Sequence, residues 1–148
     1  MGRFASRCLK FCNSPTSIQL LYVESALWLG AARIAVKFFP FKRLAPFLGA
    51  PMKKAPTGQS HGGLDVIKEV SKGVETMARH LPWECRCLVQ AVAAKKMLDR
   101  RQIPATLYLG VTRQAETGWS AHAWTRSGDV ILTGDMDLRQ FAVVSTFS

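Results

Sequence analysis

Apolar residues recur at helical spacing over most of the chain and at alternate positions toward its end. From Ile18 the run IQLLYVESALWLGAARIAVKFF carries Leu20, Leu21, Val23, Leu27, Trp28, Ala31, Ile34 and Ala35. That stripe is wide, so the helix is expected to bury most of its circumference. SPTS at 14–17 supplies the start, with Ser14 as cap and Pro15 at the first helical position, and Pro40 is the stop. FKRLAPFLG predicts a short second helix ended by Gly49. Residues 50–63, APMKKAPTGQSHGG, read as an exposed loop. A helix follows over 64–81, where Leu64, Ile67, Val70, Val74, Met77 and Leu81 alternate spacings of three and four. PWECR breaks it. The next helix begins at about Cys87, with Leu88, Ala91, Val92, Lys95 and Leu98 on one face, and Pro104 marks its exit.

Four strands are predicted after that, over 105–113, 120–126, 130–134 and 141–147, with Ser127-Gly128-Asp129 as the turn between the second and third. Their short connections imply an antiparallel meander. The fold class is α+β: N-terminal helices, then a cysteine-bearing helix packed on an antiparallel sheet. Residues 1–63 hold an arm, helices and loop, and 64–148 hold the core. The two are expected to form one compact unit, since neither alone makes a comfortable core.

Charge narrows the partners. The 148 residues carry a formal +10, which favours acidic partners such as anionic lipid or an acidic peptide. No run of five Lys or Arg, no zinc-finger spacing and no aromatic-interleaved basic ribbon occurs, so nucleic acid is not an expected partner. The stretch from Ile18 to Phe39 contains Glu24, Arg33 and Lys37, which argues against a membrane span. The wide helix and the positive charge leave a peripheral membrane contact, or a cyclase or transport complex, as partners for that region. The start MGRFASRCLKFCNS has no continuous apolar core of a secretory signal, so a reducing, cytoplasmic setting is expected for Cys8, Cys12, Cys85 and Cys87. Cys-x-Cys joined to Cys8 and Cys12 is not a usual zinc spacing, and no metal or other cofactor is expected.

Cys87 opens a helix, where unpaired N–H groups and the helix dipole favour a thiolate and Arg86 adds positive charge; its alternative is a small buried residue capping the helix. Cys85 lies before the helix and would lose most of that field. His122, in SAHAWTR, shares a strand face with Trp124, while Ala121 and Ala123 on the reverse let a helix pack closely. Such a histidine could serve the thiol as base and acid, or be a satisfied core residue. His61 and His80 are weaker candidates. A carboxylate to orient the imidazole is sought at the end of the next strand, where Asp135 is preferred over Asp137 and the turn residue Asp129. Trp83 and Trp124 are candidates for substrate contact, each with core packing as its alternative. Gln90, a turn beyond Cys87, could point into the site or be solvated.

WECRCLVQAVAAKKMLDRRQIPATLYLGV followed by AHAWTRSGDVILTG resembles the transglutaminase-like leader peptidase of lasso peptide biosynthesis, over about residues 83–134. The likeness lies in a Cys-Leu pair opening a helix, an Ile-Pro-Ala exit, a strand ending Leu-Gly-Val, and Ala-His-Ala-Trp. It implies a papain-like core fold, Cys87 as nucleophile, His122 as general base and acid, and Asp135 as third member. It implies removal of a leader from a ribosomally made precursor. The implied partners are the precursor leader peptide, a separate small leader-recognition protein and an ATP-dependent lasso cyclase. With no further domain before its helices, the chain is expected to be the stand-alone form. Family members often carry a glutamate soon after Ala-His-Ala-Trp, and this chain has Thr125 and Arg126 there. A non-catalytic peptide-binding module and a transamidating acyl transferase are the alternatives on the same fold.

Overall fold

The computed structural model describes residues 15–53, 63–116, 118–134 and 137–148. Helix α1 runs Thr16–Phe38, α2 Phe41–Leu48, α3 Gly63–His80 and α4 Cys87–Arg100. Strands β1 (Thr106–Gln114), β2 (Gly118–Ser127) and β3 (Val130–Ile131) follow, then a 3-10 turn at Leu138–Gln140 and β4 (Ala142–Phe147). The switch of period near residue 105 is therefore the boundary between helices and sheet.

Helix α4 is the centre of the molecule. It packs on α1, α3, β1 and β2, and this surround explains why more than one face is buried. Beyond the expected Ala91, Val92 and Leu98, the structure also buries Val89, Ala93, Ala94 and Met97. Lys95, only 3% exposed, keeps its charge satisfied by donating to Asp99 at 3.0 Å and to the Ala105 carbonyl at 3.3 Å. One continuous core joins Leu29 and Ala32 of α1, Leu48 of α2, Val70 and Val74 of α3, Leu107 of β1, Ala123 of β2 and Phe147 of β4. Buried Thr125, on the same strand as Ala123, faces α4, and its Oγ1 donates to the Ala91 carbonyl at 2.8 Å.

Four expectations are corrected. Pro15 precedes α1 in extended conformation instead of opening it, because its ψ of 142° is not helical. The α1 stripe is not mostly buried: Leu20, Val23, Leu27, Ile34 and Phe38 stand exposed, since the core reaches only the face of Ser25, Leu29 and Ala32. The sheet order is β3-β2-β1-β4, so only the first three strands form a meander. β4 crosses to the far edge and pairs antiparallel with β1, with a register shift between Leu109 and Gly110. Finally, the loop reading fails at Ala50–Met52, which lies along the outer edge of β4. Ala50 N donates to Ser148 O at 2.8 Å and Met52 N to Thr146 O at 2.8 Å. This edge contact satisfies backbone groups that β4 would otherwise leave open. Ser14, Cys8, Cys12 and His61 lie outside the described residues.

Candidate active site

Cys87 is the first residue of α4, preceded by Arg86 in extended conformation, and no side chain caps the helix. Its first-turn N–H groups therefore face the start of the helix without a side-chain acceptor. Gln90, one turn on, reaches back and donates through Nε2 to the Cys85 carbonyl at 2.7 Å. That bond fixes the turn from which Cys87 projects. Arg86 pairs with exposed Glu84 at 3.0 Å, so its charge is shared with a carboxylate. Cys85 takes a different environment. It packs against the core and its Sγ lies 3.7 Å from the Trp83 carbonyl. Burial pushes its thiol up, opposed in part by the charge of Arg33 and the Trp83 contact.

His122 projects from the middle of β2, opposite Gly110 of β1. It lies on the sheet face away from α4, where aromatic rings hold its own. Phe141 sits 5.3 Å from it, and Trp124, 6.1 Å away, stacks on Tyr108. A cavity of about 460 Å³ is lined by both Cys87 and His122. Ser71 and Glu75 of α3, Gln90 of α4 and the segment Ile131–Gly134 complete its wall. The nucleophile candidate and the histidine candidate thus border one space.

The segment beyond β3 brings the backbone against the imidazole, and three bonds hold it. Leu132 N donates to the Thr125 carbonyl at 2.8 Å, Thr125 N to Thr133 Oγ1 at 3.2 Å, and Ser71 Oγ to the Leu132 carbonyl at 2.6 Å. Gly134 then sits with φ +80°, and a Cβ there would lie 2.6 Å from His122 Nε2. Only glycine allows this approach. His122 Nε2 is buried and has no hydrogen-bond partner among the described residues. Asp135 follows Gly134 directly in the chain and lies outside the described residues.

Neither tryptophan assigned to substrate lines the cavity. Trp124 is 5% exposed within its aromatic cluster, so packing behind His122 replaces the expected substrate contact. Trp83 is 39% exposed at the turn before α4, close to Gly30 of α1. Asp129 pairs with Arg126 in the hairpin, Asp137 accepts from Arg139 N, and His80 contacts the Thr76 carbonyl. These three serve turns and a helix end. Ser71, Glu75 and Thr133 carried no signal in the sequence, because only tertiary packing brings them to the cavity. Among the described residues no three His, Cys, Asp or Glu side chains gather into a metal-holding group.

An α+β fold with a cysteine at the start of its central helix and a histidine on the neighbouring strand has counterparts among known families. No curated protein and no solved structure matches the chain. The family model of the transglutaminase-like superfamily matches residues 26–146, from within α1 into β4, and the chain belongs to that superfamily.

Proposed function

We propose that this protein is a cysteine peptidase that removes the leader from a ribosomally made lasso peptide precursor. The observation that carries the reading is that Cys87, at the uncapped start of α4, and His122, on β2, line one cavity. The Cys-Leu, Ile-Pro-Ala, Leu-Gly-Val and Ala-His-Ala-Trp motifs support the narrower assignment to leader removal.

In this mechanism His122 takes the Cys87 proton, and the thiolate attacks the scissile carbonyl at the leader–core junction. The Cys87 backbone N–H steadies the oxyanion. The intermediate collapses as the imidazolium gives its proton to the departing core amine, leaving a leader thioester on Sγ. Water, deprotonated by His122, then releases the leader carboxylate and restores the thiol. Asp135 holds the imidazole tautomer. The separate recognition protein supplies the leader, and the ATP-dependent cyclase consumes the released core.

Reconstitution with precursor, recognition protein and cyclase tests this. Cys87→Ala abolishes leader removal, while Cys85→Ala retains it; cleavage that survives the first and fails in the second overturns the assignment. Peptide-resolved alkylation separates the thiols independently. Because burial raises the Cys85 thiol, native Cys85 alkylates more slowly at a given pH than Cys85 of the unfolded chain. Labelling of native Cys85 as fast as in the unfolded chain would contradict that environment. Acyl transfer is the second reading, favoured by the superfamily's acyltransferases. An amine acceptor would then replace water, and product masses distinguish the two.

A further inference from the structure

We propose that the outer face of α1 and α2 seats the protein on an anionic bilayer surface. Leu20, Val23, Leu27, Ala31, Ile34 and Phe38 follow one another at steps of three and four, so they share a single helix face. That face is opposite the buried Ser25, Leu29 and Ala32. Leu27 is 69% exposed and Phe38 68%. From Leu20 to Phe38 the stripe extends about 27 Å at helical rise. Past the turn, Phe47 of α2 stands 75% exposed. Exposed apolar stripes of this length mark an interaction surface.

Charge selects the partner. Between residues 15 and 53 Glu24 is the single acid, and Arg100 and Arg101 both pair with it. The same stretch holds Arg33, Lys37, Lys42, Arg43 and Lys53. Over residues 1–64 the chain has nine Lys and Arg against that one Glu, which places most of the +10 in this part of the molecule. Lys37 Nζ lies 5.4 Å from the Phe38 ring, a cation folded along the apolar edge. Apolar residues along a line with cations beside them suit a helix lying flat at a headgroup boundary. A second copy would bring like charges face to face in an isologous contact. Spanning is a different matter: no described helix is long and apolar enough to cross a membrane. The docking proposal does not depend on the peptidase reading.

Flotation of the full-length protein tests it, using vesicles of phosphatidylcholine with phosphatidylglycerol beside phosphatidylcholine alone. The protein floats with the anionic vesicles and not with the neutral ones. Leu27→Glu lowers the partition coefficient about tenfold or more, from loss of one apolar side chain's burial. Lys42→Glu with Arg43→Glu lowers it at least as far, through two reversed charges. Both sites are solvent-exposed, and unchanged circular dichroism and melting temperature show that the variants fold. Absence of flotation overturns the proposal, as does flotation indifferent to Leu27→Glu. A dimer, or a complex with precursor or recognition protein, that Leu27→Glu disrupts while lipid binding is absent assigns the face to protein and also overturns it.

Discussion

Gly134 stands nearest the imidazole, and its constraint is spatial. A methyl group there would meet His122 Nε2 at 2.6 Å and Trp124 Cβ at 3.1 Å, on a backbone at φ +80°. The left-handed backbone alone disfavours alanine by about 1–2 kcal/mol, and the overlap displaces the ring. If the protein acts as proposed, Gly134→Ala should slow leader removal about hundredfold, as small misplacements of a reacting group do, with a modest fall in melting temperature. Single-turnover cleavage and a thermal melt check it; a wild-type rate would mean the imidazole does not need its present position. At this scale the positions of Cys87 and His122 were legible, one at a helix start and one in an alternating strand. Gly134 was not, because its requirement comes from a residue twelve positions away that meets it only after folding. Gln90 falls between: its place one turn after Cys87 was visible, but its bond to the Cys85 carbonyl depends on the path of the preceding turn.

Helices and strands were read from period and punctuation, and most boundaries fall within a residue or two of their predicted places. Which face of α1 is buried was less visible, because an apolar stripe facing solvent has the same periodicity as one facing the core. Core packing of Leu29 and Ala32 sets the buried face, and a polar contact adds to it. Arg101 donates to Glu24 through both Nη1 and Nη2, at 2.9 and 2.6 Å, tying α1 to the end of α4. The Arg101 hydrogen bonds hold the Glu24 carboxyl below its ordinary 4.5, with the charges of Arg101 and Arg100 adding and burial opposing. A carboxyl lowered in the folded state stabilises that state above its unfolded value and loses the benefit as pH falls through the folded value. Acid should therefore erode wild-type stability from about 4.5 downward. Glu24→Gln should cost about 1–2 kcal/mol at neutral pH and give a shallower loss below that point. Denaturant titrations across pH check both; parallel acid limbs for the two proteins would show that the pair is not coupled to folding.

The arrangement of the whole molecule rests on contacts between distant parts of the chain, and here the sequence was least informative. Short connections favoured a complete meander, yet the 3-10 turn at Leu138–Gln140 carries the chain away from β3, and β4 pairs with β1. That crossing has a consequence for cooperativity. β4 becomes an edge, and the Ala50–Met52 strip closes it from the N-terminal side. Gly49 makes the closure feasible. At φ +120° its α-carbon passes so near Ser148 that an added Cβ would lie 2.6 Å from the Ser148 carbonyl carbon, a backbone atom. Helical and sheet regions are thereby joined by backbone hydrogen bonds as well as by the common core, and we expect them to unfold in one transition. Gly49→Ala should open this contact and destabilise the protein by about 1–3 kcal/mol, the usual range for a strained backbone position. Amide exchange reports it directly. In the wild type, the Ala50 and Met52 amides should be protected together with β1 and β4. In Gly49→Ala they should exchange far faster while the β1–β2 ladder stays protected. If those two amides already exchange freely in the wild type while β4 is protected, the strip does not couple the N-terminal helices to the sheet, and two separate transitions become the expectation.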